Sequence, residues 1–361
     1  MPWIWQSPSW PEFGYDAQII EADLARATEV IGEISGMRQG LGAEEREELH
    51  LRQIVQEALG SFGIEGVLLD PAQLEVSVVA SLKHRDRHAF SRRSDAIATL
   101  LLTAREDHAP ITAETLWEWH RLLFFGMEVE DLGRWRESGI EIVRSATAGR
   151  HDVLFVAPPA ERIPVEMARL LDWIAQEQRM PLAIKAAIAH LWFETIHPFA
   201  DGNGRIGRAL IEHIFAQARA LPFSLSRQIE AEKRAYYEAL QAGRRDDGNR
   251  IDATAFVLWF LQCLARAAEA ARAEAQFLLA RNRFFLRFAH RLHPRQENVL
   301  RKLFAQGPQR VAEGISARSY ARIAGVSGPT ATRDLNAIAA TGALRRSDAG
   351  GRSTSYALML D

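Results

Sequence analysis

Twelve consecutive residues, His197-Pro198-Phe199-Ala200-Asp201-Gly202-Asn203-Gly204-Arg205-Ile206-Gly207-Arg208, gather a proton acceptor, a carboxylate, a Gly-Asn-Gly turn and two guanidinium groups. Of these, only the His197 imidazole ordinarily exchanges a proton near neutral pH, which makes it the candidate general base. Gly202 and Gly204 are both expected to take positive φ and turn successive N–H groups inward as an anion nest. Asp201 offers a single carboxylate, enough for Mg²⁺ held mostly by phosphate oxygens and water. Arg205 and Arg208 are three apart and share a helix face. Cations are unfavourable at a helix N-terminus unless an anion offsets them, so the pair implies a polyanionic ligand. Asn203 is expected to order the loop or to contact phosphate. Together these residues have the layout of a triphosphate site in which a histidine activates a nucleophile.

The flanking segments explain how such a site would be held. PLAIKAAIAHLWFETI, before the motif, is apolar nearly all round and predicts a buried central helix with Pro181 as its first residue. ALIEHIFAQARAL, after it, predicts an amphipathic helix starting near Gly204, whose free N–H groups face the turn. His190 is expected to be a packed, hydrogen-bonded histidine, and Phe199 a core anchor for the loop. Helices are predicted at Thr112–Phe124, with Thr112 as N-cap, and at Ile163–Gln176. Between them, GIEIVRSATAGRHDVLFVAPP alternates β-formers around Ala-Gly-Arg and reads as a hairpin.

Asp-Gly-Asn-Gly alone is ordinary turn chemistry. The whole string, however, satisfies the HPFxDGNGRxxR motif at every specified position, and on it the chain is identified as resembling the Fic family. That resemblance implies a mainly α fold: a helical Fic core with a β-hairpin flap, a helical N-terminal domain and a C-terminal winged helix. It implies transfer of AMP from ATP-Mg²⁺ to a hydroxyl of a target protein, with release of pyrophosphate. His197 would be the base and Asp201 the Mg²⁺ ligand. Gly202, Asn203 and Gly204 would cradle phosphate, with Arg205 on the α/β region and Arg208 on γ. The flap would bind the target as an added strand. Tyr237 in KRAYYEALQAG matches a family position beside adenine, although ordinary helix packing also explains it. Where family members often carry Asn seven residues later, this chain has Arg244.

Ser61-Phe62-Gly63-Ile64-Glu65-Gly66 follows the helical stretch EEREELHLRQIVQEAL and resembles the family's inhibitory [S/T]-x-x-x-E-[G/N] motif. Within that resemblance Glu65 pairs with Arg208 and places a carboxylate where the γ-phosphate must go. Read this way, the chain is a self-inhibited AMP transferase. The alternatives are an enzyme that removes AMP, with Glu65 orienting a water, and a DNA-binding regulator whose core senses nucleotide.

Four regions are expected. Residues 1–88 form the helical unit carrying the inhibitory string, with a helix from about Asp16 to Ile34; this start resembles a domain of unknown function found ahead of bacterial Fic domains. Its Trp3, Trp5 and Trp10 are packing residues. Residues 89–262 are the catalytic region and 263–292 a linker helix, part of a helical pattern from Ile251 to about Arg291 that could be two helices with a kink. Residues 293–361 resemble a winged helix-turn-helix. Arg310, Arg318, Arg322, Arg333, Arg345, Arg346 and Arg352 stand there against Glu313, Asp334 and Asp348, about +4 locally. Such domains bind DNA or serve in dimerisation and docking. Globally, 44 Lys and Arg oppose 46 Asp and Glu, so net charge points to neither nucleic acid nor membrane. The lone cysteine, Cys263, sits in an apolar helical pattern and reads as a core thiol. Neither a secretory leader nor an 18-residue apolar run is seen, so no membrane span and a cytoplasmic location are expected.

Overall fold

A computed structural model of the chain describes residues 3–83, 92–145, 151–246, 250–347 and 355–360. A short strand, β1 (Phe13–Gly14), leads to Asp16, whose carboxylate accepts hydrogen bonds from the N–H groups of Gln18 and Ile19 and so starts α1 (Ala17–Gln39). The helix runs past the expected end at Ile34 because no glycine in a left-handed turn or proline stops it there. In α2 (Ala43–Ile64), Phe62 and Ile64 are buried and keep the last turn helical. The string from Ser61 to Gly66 is therefore the end of this helix and not a segment after it. Glu65 is its C-cap, and Gly66, at φ +75°, makes the left-handed turn that closes it.

Next come α3 (Pro71–Lys83), α4 (Arg93–Glu106) and α5 (Ala113–Leu123), the last capped as expected by Thr112 accepting from the Thr115 N–H. The expected hairpin is β2 (Glu141–Ser145) paired antiparallel with β3 (His151–Val156), with a register shift at Ile142/Val143. Its Ala-Gly-Arg tip lies outside the described residues. The tryptophans secure its base: Trp5 donates its indole N–H to the Val156 carbonyl at 2.7 Å, and the Trp3 ring meets Phe155 edge-on at 5.5 Å. The next two helices are α6 (Ile163–Gln176) and α7 (Leu182–Ile196). Pro181 occupies the cap position of α7, one residue earlier than expected, and every residue of α7 from Ala183 to Ile196 is buried. Pro198 cannot continue the helix, and His197 ends it in the left-handed region at φ 53°.

Beyond the loop follow α8 (Asn203–Ala216), α9 (Leu225–Ala231), α10 (Lys233–Ala242), β4 (Arg245–Asp246), β5 (Ile251–Asp252) and α11 (Thr254–Phe288). Ile251 and Asp252, expected to begin the long helix, instead pair with β4 and with β1. From Thr254 onward the pattern is one 35-residue helix. Cys263 is buried in it.

The chain packs as two compact units, Met1–Ala271 and Arg272–Asp361. In the first, α7 packs on α8, α4 on α8, and α2 on α9. One apolar core extends from Ile4 to Ala268, so among the described residues segments 1–88 and 89–262 share a single core. The second unit has its own core around Phe284, Phe288, Leu300, Leu303, Tyr320 and Leu335. It comprises the end of α11, α12 (Pro294–Phe304), α13 (Pro308–Ala312), β6 (Ile315–Ser316), α14 (Ala317–Ala324), α15 (Gly328–Ala340), β7 (Leu344–Arg346) and β8 (Ser355–Leu358), with sheet order β6-β8-β7. Asp348 and Arg352, counted above in the local charge, lie outside the described residues.

Candidate active site

The site is built where α7 ends and α8 begins. Arg136 holds the end of α7. Its buried guanidinium donates to the carbonyls of His197 (2.7 Å), Ser138 (2.6 Å), Pro158 (2.6 Å) and Ile196 (3.4 Å), and its backbone N–H to the carbonyl of Pro198. The Ile196, His197 and Pro198 carbonyls lie at the C-terminus of α7, which leaves such groups unpaired and favours a cation beside them. The arrangement holds His197 in its left-handed conformation and presents its ring to a cavity of about 800 Å³.

Asn203 closes the loop. Its Oδ1 accepts from the Phe199 N–H at 2.9 Å, and its Nδ2 donates to the Phe199 carbonyl at 2.7 Å. Of the two roles expected for this side chain, the geometry selects ordering of the loop. His120 on α5 supports the same turn. Its ring stacks on Phe199 at 4.3 Å; its Nδ1 accepts from the Gly133 N–H, leaving Nε2 to donate to the Asp201 carbonyl at 3.2 Å. Burial lowers its pKa to about 4, so the neutral tautomer this pattern requires is the stable one.

Gly202 is the N-cap of α8 at φ +83°, and a Cβ there would lie 2.7 Å from Leu123 and 2.8 Å from Phe124. The expectation of positive φ fails at Gly204, which lies inside the first helical turn. Its requirement is space: a Cβ would stand 2.4 Å from Glu65 Oε1 and 2.9 Å from Arg208 Nη1.

Asp201 is 61% exposed at the cavity edge; its Oδ1 accepts from the Gly202 N–H and from Arg205 at 3.1 Å. The Arg205 guanidinium lies over the rings of Phe62 (5.5 Å) and Phe124 (5.0 Å). Arg208 is buried. It donates through Nε to Ser61 Oγ (3.0 Å), and through Nη2 to the Ser61 carbonyl (2.7 Å) and Glu65 Oε1 (2.9 Å). Burial disfavours its charge, but the Glu65 carboxylate outweighs that and holds its pKa above the ordinary value. Both arginines thus meet the end of α2, with protein carboxylates serving as their counter-ions. The buried Nη1 of Arg208 has no hydrogen-bond partner among the described residues. The end of α2 is itself anchored: Glu57 accepts from Ser224 Oγ (2.8 Å) and the Ser226 N–H (3.1 Å), and Gln53 donates to the Pro222 carbonyl.

Tyr237 lines the cavity and is 42% exposed. Its neighbour Tyr236 is buried, its hydroxyl 2.8 Å from His190 Nε2, so His190 is the packed histidine expected. Arg244 donates to the Glu194 carbonyl at 2.8 Å and covers the Phe155 ring of β3 at 4.2 Å. It bridges the end of α7 to the hairpin. Sequence reasoning missed Arg136, His120 and Glu194. No local pattern marks the first two. Glu194 had one available signal, a carboxylate three residues before the candidate base inside an otherwise apolar helix. Among the described residues no group of three or more His, Cys, Asp or Glu forms a metal cage, and no helix is long and apolar enough to cross a membrane.

The site thus sets a histidine at the end of α7 and the N-terminus of α8 around one cavity on a mainly helical fold. Residues 110–215 match the Fic/DOC family model, so the chain carries a Fic/DOC family domain; residues 3–84 match a domain of unknown function, DUF4172. The fold resembles a crystal structure of a Fic family protein from Desulfovibrio desulfuricans G20, with TM-score 0.54 and 25% identity over 93% of this chain and 96% of that one. It also resembles Fic-1 (residues 134–508) from C. elegans, with TM-score 0.50 and 19% identity over 72% and 74% of the two chains. In sequence, the chain is 26% identical over 255 residues to Protein adenylyltransferase Fic of Culex quinquefasciatus, covering 68% of this chain and 46% of that protein. It is 34% identical over 109 residues to a probable protein adenylyltransferase of Aquifex aeolicus, covering 28% of this chain and 34% of that one. The chain thus spans less than half the length of these relatives.

Proposed function

We propose that the protein is a self-inhibited protein adenylyltransferase that moves AMP from ATP to a hydroxyl side chain of a target protein. The observation that carries this reading is the Arg208–Glu65 pair, 2.9 Å apart beside the cavity that His197 and Asp201 also line. His197 takes the proton of the target hydroxyl as its oxygen attacks the α-phosphorus. Burial, then Arg244, lowers the His197 pKa to about 4, so the ring is an unprotonated acceptor at neutral pH. The backbone N–H groups of Gly202, Asn203 and Gly204 and the Arg205 side chain hold the phosphates, and Tyr237 flanks the base. Asp201, a lone exposed carboxylate, fits Mg²⁺ that keeps mostly phosphate and water ligands; bound there, the ion would neutralise phosphate charge. Pyrophosphate leaves. Catalysis is positioning plus charge neutralisation.

In the resting state Glu65 occupies Arg208 and displaces the γ-phosphate. Because Glu57 and Gln53 anchor α2, release is a rotation of the Glu65 side chain, which is 30% exposed, and not a departure of the helix. The hairpin, with Val143 and Val153 exposed, offers its edge for a target segment to add as a strand. Arg208→Ala is expected to weaken ATP binding more than AMP binding, since the γ-phosphate is the group it holds. Calorimetry that finds equal losses for both nucleotides removes Arg208 from that role.

For residues 293–361 we propose a winged helix. Gly325 at φ +67° turns α14 into α15, and the exposed Arg318, Arg322, Arg333, Arg345 and Arg346 supply positive charge. DNA binding is the use this charge favours, and its affinity should fall steeply with salt. Retardation of random duplex DNA that weakens on changing Arg345 and Arg346 to alanine supports it. A dimer that those changes dissociate, with DNA unbound, assigns the unit to assembly.

A further inference from the structure

The carboxylate of Glu194 has no part in the phosphate contacts described above, yet it is buried beside the candidate base. It lies on α7 three residues before His197. Its Oε2 is 3.8 Å from His197 Nδ1, and its backbone carbonyl is 3.4 Å from the same nitrogen. Both oxygens face the Nδ1 side of the ring, which leaves the Nε2 lone pair for the cavity. Oε1, also buried, has no hydrogen-bond partner among the described residues. A buried carboxylate with one oxygen unpaired costs the fold energy, so its presence needs a reason other than stability.

We propose that Glu194 is a positioning residue that holds the His197 imidazole in its base-competent tautomer and compensates the positive charge the ring acquires during transfer. This inference rests on the adenylyltransferase reading. In the step, the target O–H bond breaks and its proton forms a bond to His197 Nε2. The oxygen bonds to the α-phosphorus as the bond from phosphorus to the pyrophosphate oxygen breaks. The ring becomes imidazolium with Nδ1–H toward the Glu194 carboxylate. A carboxylate behind the Nδ1 of a catalytic histidine performs this service in hydrolytic triads.

Charged and titratable groups face this pair from every side. On α7 itself these are His190 and His197; Arg208 approaches from α8, Arg244 from the segment after α10, Tyr236 from α10 and Glu65 from α2. Arg244, Arg136 and Asp201 act on His197. Burial raises the Glu194 pKa to about 7, against the pull of Arg244 and Arg208 and with the help of Glu65. Transfer should therefore rise with pH as Glu194 ionises. In a Glu65→Gly background the loss of that neighbouring charge moves this limb somewhat below 7.

The test compares Glu194→Gln and Glu194→Asp with their parent, each with and without Glu65→Gly. In the Glu65→Gly background, Glu194→Gln should slow transfer by about 10²-fold, with ATP affinity little changed. Its pH profile should lack the limb that Glu194 sets, and Glu194→Asp should restore part of the rate. With Glu65 intact, NMR of the labelled His197 ring should show its nitrogen shifts responding to a step near pH 7 that is absent in Glu194→Gln. Thermal unfolding should show Glu194→Gln at least as stable as the parent, because a buried charge is removed. Identical His197 titrations in the parent and Glu194→Gln overturn the proposal, as does a rate unchanged by the substitution. A Glu65→Gly parent that transfers no AMP overturns the adenylyltransferase reading instead, and the NMR comparison still decides whether Glu194 acts on His197.

Discussion

Alanine at His197 is expected to lower AMP transfer by about 10²–10⁴-fold, with ATP still bound at close to its original affinity. On the proposed reading the imidazole takes the hydroxyl proton, whereas the α8 N-terminus and its arginines hold the phosphates. The local backbone should survive the change. Arg136 holds the carbonyls of Ile196, His197 and Pro198, and the Asn203 amide holds Phe199; none of these bonds uses the imidazole. Labelling with α-labelled ATP in a Glu65→Gly background measures the rate, and calorimetry measures the nucleotide. Labelling at the parental level in the alanine variant sinks the assignment of His197 as base. Loss of nucleotide binding together with activity makes it a structural residue instead.

Glycine at Glu65 is expected to increase self-modification by about 10²-fold, the cost of misplacing a reacting group by about 1 Å. The carboxylate sits 2.9 Å from Arg208 Nη2, against the guanidinium proposed to hold the γ-phosphate. Its removal frees that cation and opens space at the α8 N-terminus. The fold should change little. Glu65 is a helix C-cap followed by Gly66, which already makes the left-handed turn, and α2 remains tied through Glu57 and Gln53. The gain should require Mg²⁺ and disappear when Asp201→Ala is added. Mass spectrometry of wild type, single and double variants under identical ATP-Mg²⁺ conditions provides the comparison. If Glu65→Gly is no more active than wild type, the claim of self-inhibition is wrong even where the enzyme is a transferase.

Much of the site could be read along the chain because its chemistry is local. His197, Asp201, the glycines and both arginines lie within twelve residues. A proline at each end of an apolar run is enough to expect a buried helix that stops beside them. The hairpin, the Thr112 cap and α6 were legible for the same reason, since period and cap chemistry act over a few residues. The errors arose where a local rule met a distant neighbour. Gly204 reads as a turn glycine, yet it lies in the first helical turn, where a Cβ would meet the Glu65 carboxylate from another helix. The string from Ser61 to Gly66 reads as following α2, but Phe62 and Ile64 are pulled into the core and extend the helix through it. Ile251 continues a helical pattern in sequence, yet pairing with Phe13 makes it a strand.

By itself the sequence determined the candidate reacting groups, the helices on either side of them and the candidate inhibitory glutamate. These depend on side-chain chemistry and short-range periodicity, which are present before the chain folds. Only the tertiary structure decided how the groups are held and tuned. Arg136 reaches the end of α7 from 61 residues away, and His120 reaches the Asp201 carbonyl from 81. Ser61 meets Arg208 across 147. The environment of Glu194 beside His197 depends on Arg244, Arg208 and Glu65 arriving from three other segments. Hydrogen bonds and burial of this kind are set by which surfaces pack together, and packing does not follow from the spacing of residues along the chain.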